Sequence, residues 1–92
     1  MASPNKNDYK ELISEIIQNQ VKILGPDIAL LKAKAIDGLK IDQHGKVLGI
    51  FGDEQEILQV LVDKYIQLSG QIVKNILVPV FAKYPSIDVK IK

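Results

Sequence analysis

Cysteine and arginine are both missing from this chain, and tryptophan with them. Without cysteine there is no disulfide framework, no thiolate metal centre and no sulfur nucleophile, a composition expected of a cytoplasmic protein rather than a secreted mini-protein. Without arginine the chain lacks the planar fork that grips phosphate, guanine and carboxylate in two bonds at once. Its twelve basic residues are all lysine, interspersed with eleven acids for a net charge of +1. That leaves no basic stripe to follow a phosphate backbone, so no nucleic-acid partner is expected.

Long apolar runs are also absent. The longest, residues 76–82, contains Pro79 and falls far short of the roughly 20 residues that cross a bilayer. No transmembrane segment is expected. The polar opening, Met1 to Asp8, has no hydrophobic stretch behind its lysine, which argues against a secretory signal or an anchor; residues 1–7 read as a disordered tail.

Aromatic residues number five, while 47% of the chain is hydrophobic, so the core must be built from Ile, Leu and Val. Ninety-two residues make one domain, 1–92, whose core is marginal for its size. Association with a second copy is the natural way to bury more.

Periodicity gives an α+β reading. A first helix is expected from Asp8, with Asp8 and Glu11 as a capping box and Tyr9, Leu12, Ile13, Ile16, Ile17, Gln20 or Val21, and Leu24 on one face. Gly25 and Pro26 interrupt it. Pro26 suits the first position of a short second helix, predicted to turn Ile28, Leu31 and Ala35 inward and to end at Gly38. From Leu39 the period becomes two, and Asp42-Gln43-His44-Gly45-Lys46 places a turn-bracing carboxylate and a glycine between two strands: a β-hairpin. Asp53 and Glu56 form a second capping box, opening one long helix that runs to about Tyr84, is kinked at Pro79 and ends before Pro85. The alternation in Ser86–Lys92 predicts a C-terminal edge strand. The helices are expected to pack on one face of the small antiparallel sheet.

The chemistry-bearing residues do not assemble into a known site. His44 with Asp42 and Asp53 supplies too few ligands for a closed metal centre, and no metal is expected. Gly45, Gly49 and Gly52 match neither the dinucleotide nor the P-loop spacing, and Asp53, Glu54 and Glu56 already occupy the helix start. The Gly49-Ile50-Phe51-Gly52 match to a G-x-x-G loop lacks basic neighbours. Neither Ser14 nor Ser69 has a visible base, and Glu11 with Glu15 reads as a solvated pair. Neither catalysis nor a cofactor is expected.

What remains is the apolar face of the long helix, too broad for a lone surface helix. It predicts a homodimer with Leu61, Tyr65, Leu68, Ser69, Ile72 and Ile76 near the shared core. The leading expectation is a non-catalytic protein–protein interaction or regulatory module. The alternative is a sensory domain with a pocket for a small apolar ligand near Phe51, Phe81 and Tyr84. Two amide rows, Gln67-Gln71-Asn75 and Gln18-Asn19-Gln20, read first as solvated surface and second as a groove for a peptide or partner helix.

Overall fold

A computed structural model describes residues 6–87 and 89. It is a small helix-rich α+β domain: α1 (Lys6–Leu24), α2 (Pro26–Lys34), β1 (Leu39–Ile41), β2 (Val47–Ile50), α3 (Glu54–Ser69) and α4 (Gln71–Ala82). Among the described residues the sheet is the β1–β2 hairpin. The expected edge strand at Ser86–Lys92 lies largely outside the described residues, although Ile87 is buried against the core.

Helix α1 starts at Lys6, two residues before the expected cap, so Asp8 sits inside the first turn, where its charge favours the helix dipole. The middle of its apolar stripe is indoors: Leu12, Ile13, Ile16 and Ile17 are fully buried, with Tyr9, Val21 and Leu24 half-buried towards the ends. Across it lies the hairpin, with Leu39 opposite Ile50, Lys40 opposite Gly49, Ile41 opposite Val47 and a bulge after Lys40. Leu39, Val47 and Ile50 face the helices while Lys40 and Leu48 face solvent. The turn forms as the sequence predicts. The Asp42 carboxylate accepts from the His44 and Lys46 amides at 2.8 and 2.9 Å, and Gly45 takes a positive φ of 86°, a conformation open to glycine at little cost.

Helix α2 begins with Pro26 at its N-terminus as expected, but it is turned the other way round. Ala29 and Ala33 are buried, while Ile28, Leu31 and Ala35 are exposed. The small alanine face lets α2 lie close to its neighbours, near enough for the Tyr65 hydroxyl of α3 to donate to the Ala29 carbonyl at 2.8 Å. Its cap is Ala35, not Gly38, which sits at the mouth of the hairpin. There the Gly38 carbonyl accepts from the Phe51 amide at 2.6 Å. A side chain on Gly38 would run into the Phe51 carbonyl.

The long helix is two helices. Asp53 opens α3 as expected, accepting from the Gln55 and Glu56 amides at 3.0 and 3.2 Å. At Gly70 the backbone swings to φ 57°, ψ −121°, outside the region allowed to L residues, and the path restarts as α4. The Gly70 amide still donates to Ile66 and the Lys74 amide to Gly70. Gly70 is a turn residue between the two helices, and the regular helix does not run through it. Pro79 lies within α4, which ends at Ala82, three residues short of Pro85. Val73, Leu77 and Val80 fold back into the core beside Leu58, Leu61, Val62 and Tyr65.

Candidate functional site

The feature most open to contact is the outer surface of α2 and α3. Tyr65 bonds Ala29, while Ala35, Ile36, Ile57, Val60 and Lys64 line one groove; the two helices therefore run side by side in opposite directions. One α2 face carries Ile28, Leu31 and Ala35 at a spacing of three and four. Its neighbour on α3 carries Val60, Lys64 and Leu68. Leu31 is 66% exposed, Ile28 47% and Leu68 43%, and beyond the break Ile72 is 58% exposed. At the other end the groove, of about 370 Å³, is closed by Phe51, itself 63% exposed. Gly49 makes room for that ring, since a side chain there would meet it at 2.9 Å, and the Lys40 ammonium stands 5.8 Å from its centre, within cation–π range.

The residues expected at a dimer interface separate into two groups. Leu61 and Tyr65 are fully buried within their own chain, and burial without an ionic partner holds the Tyr65 phenol well above the usual tyrosine range. Leu68 and Ile72 are exposed, with Ser69 and Ile76 half-buried. The residues expected around a ligand also part company. Phe51 lines the α2–α3 groove, Phe81 packs against the core, and Tyr84 lines a groove on another side of the molecule.

That second groove, of about 830 Å³, runs between α1, the start of β2 and the end of α4, and Lys10, Glu11, Ser14, Glu15, Gln18, Lys46 and Lys83 line it together with Val47 and Tyr84. Lys83 and Glu15 pair at 2.6 Å. The Glu15 carboxylate holds the Lys83 ammonium charged to higher pH than usual, and burial together with Glu15 raises the Tyr84 phenol. Ser14 is engaged structurally, its oxygen accepting from the Val47 amide at 2.9 Å. Tyr9 ties α1 to α3 by donating to Gln55 at 3.0 Å, and its phenol is raised by burial first and by Glu54 and Asp53 after it.

His44 is an exposed turn residue whose Nε2 lies 3.4 Å from the Gln43 amide. Asp42 is committed to the turn, and the two amides it accepts hold its carboxyl below the usual range. Asp53 is committed to the α3 cap. Among the described residues no three His, Asp or Glu side chains converge as metal ligands.

The two amide rows do not act as units. Gln71 donates to Asn75 at 2.9 Å along α4, while Gln18 donates to the His44 carbonyl. Gln20 departs from the surface reading. Its side chain is fully buried and, among the described residues, neither its oxygen nor its nitrogen has a hydrogen-bond partner. The alternative placing of Gln20 on the apolar face of α1 is the one that holds.

Fold and surface together define a small helix-rich α+β domain with large apolar side chains exposed on α2, α3 and α4. No protein-family model, curated protein or solved structure matches the chain. Among the described residues no helix is long and apolar enough to cross a membrane.

Proposed function

We propose that this chain is a non-catalytic protein–protein interaction module that acts as a small homodimer. The observation that carries the reading is the exposure of four large apolar side chains, Ile28 and Leu31 on α2, Leu68 on α3 and Ile72 at the start of α4. Single exposed apolar residues are ordinary on a protein surface, but several large ones on successive helices are a feature of contact sites. Fully burying such a side chain is worth on the order of 1.5–3 kcal/mol, so a few per chain offset a substantial part of the entropy lost on association. In this reading the contact between copies centres on Leu68 and Ile72. The Phe51 end of the same surface stays open for a second protein.

Sedimentation equilibrium over a wide concentration range tests it, with Leu68→Lys alongside. The expected result is a wild-type dimer and a folded monomer in the variant, because the lysine would be desolvated unpaired in the interface. A wild-type chain that stays monomeric at every concentration would overturn the reading. A thermal shift with a small apolar compound would then move the assignment to a sensory domain.

A further inference from the structure

The break at Gly70 and the exposed residues on either side of it point to a particular way of pairing. We infer that α3 and α4 straighten at Gly70 into one continuous helix, and that α4 then packs on the α1–α3 core of a second copy, which returns its own α4 in exchange. This rests on the homodimer reading above and specifies its mechanism.

Three observations carry it. First, the bend is locally unfavourable. It interrupts the helix at Gly70, no side chain caps the new start at α4, and the turning residue holds φ 57°, ψ −121°. Straightening lets the ladder of bonds between residues four apart run through without a break. Second, the bend leaves Leu68 and Ile72 exposed although they stand four residues apart. On a straight helix they are consecutive members of one stripe with Tyr65 and Ile76, and two such helices crossing at this point cover each other's stripe. Third, Gly70 is unobstructed. A side chain built on it meets nothing within 4 Å, so no close packing requires glycine there and only the dihedral angles do. The bent chain keeps α4 at home by burying Val73, Leu77 and Val80 in its own core. The partner's core offers the same slot, so exchange recovers that burial and adds the hinge contact. Exchange of an identical element is a low-cost route to a dimer.

Gly70→Ala separates the two forms. Alanine is strained at the bend but better than glycine within a helix. Each hinge should shift at least about tenfold toward the straight form, so a dimer with two hinges should tighten by roughly a hundredfold, read by sedimentation. The exchange itself is read by zero-length carbodiimide coupling of Glu15 to Lys83, which touch at 2.6 Å across the α1–α4 contact. Heavy and light isotope-labelled chains are refolded together and the coupled peptides weighed. In an exchanged dimer about half of the Glu15–Lys83 products should join a heavy chain to a light one. A dimer whose Glu15–Lys83 products stay within one chain overturns exchange and leaves the homodimer reading standing. Unchanged or weaker association of a folded Gly70→Ala overturns exchange likewise. If that variant does not fold, the isotope experiment on the wild-type dimer decides. A wild-type chain and variant that are both monomeric throughout overturn the two readings together.

Discussion

Helices α1 and α2 are neighbours in sequence and both carry apolar residues at helical spacing, yet α1 leaves none of its large ones fully exposed while α2 exposes Ile28 and Leu31. The difference lies in how many answers each pattern allows. Along α1 the stripe Leu12, Ile13, Ile16, Ile17 is unique, with Lys10, Glu11, Gln18 and Lys22 elsewhere on the circumference, so only one rotation keeps charge in water. Helix α2 has two competing stripes, Ile28-Leu31-Ala35 and Ala29-Ala33-Ile36. Hydropathy favours the first and packing selects the second, because alanines allow a close approach of backbones and bring the Ala29 carbonyl to Tyr65. A buried face is chosen by fit as well as by greasiness.

Truncation should break this comparison most visibly. Ile16→Ala opens a cavity in the core and should cost about 2–5 kcal/mol, whereas Leu31→Ala, with an almost equal loss of hydrocarbon, should change the stability of the single chain by no more than about 0.5 kcal/mol. Urea denaturation of both at a concentration too low for association checks the pair. Equal losses would mean that Leu31 is inside.

Within α1 itself, Gln20 is the exception to a stripe otherwise free of cost. A buried amide with both ends unpaired is penalised by about 1–3 kcal/mol, so Gln20→Leu should raise stability by about 1–2 kcal/mol. Thermal melting reads this directly, and a fall in midpoint would show that the amide is satisfied in solution.

The smallest effect concerns the hairpin that rests on α1. Asp42 has its folded-state pKa lowered by the Lys46 and His44 amides. A depressed acid contributes stability that is present above its unfolded pKa and is lost as pH falls through the folded value. Acidification should therefore loosen the turn below the ordinary aspartate range. Amide exchange at His44 and Lys46 should quicken there in the wild type and show no such pH step in Asp42→Asn.

Much of the scaffold was legible in the chain: α1 with its core residues, the period change at Leu39, the Asp42–Gly45 turn and the Asp53 cap all follow from local chemistry. The orientation of α2 was not, since it depends on a hydroxyl 36 residues away. Nor was the break at Gly70, because the apolar pattern on its two sides continues in phase as one helix. The only local signal is the glycine itself, in the position favoured just past a helix end. The candidate contact residues divide for the same reason. Leu68 and Ile72 belong to the stripe a straight helix would present, while Leu61 and Tyr65 are claimed by the core of the bent chain.

The contacts from Ser14 to Val47 and from Gln18 to His44 have a kinetic consequence. Strands of three and four residues make a ribbon too small to persist alone in water, and here successive turns of α1 brace it, Ser14 at the start of β2 and Gln18 at the turn. The ribbon should therefore mature only after α1 exists, which sets an order of assembly along the chain. The same side chains occupy part of an edge that would otherwise invite strand-to-strand aggregation of newly made molecules.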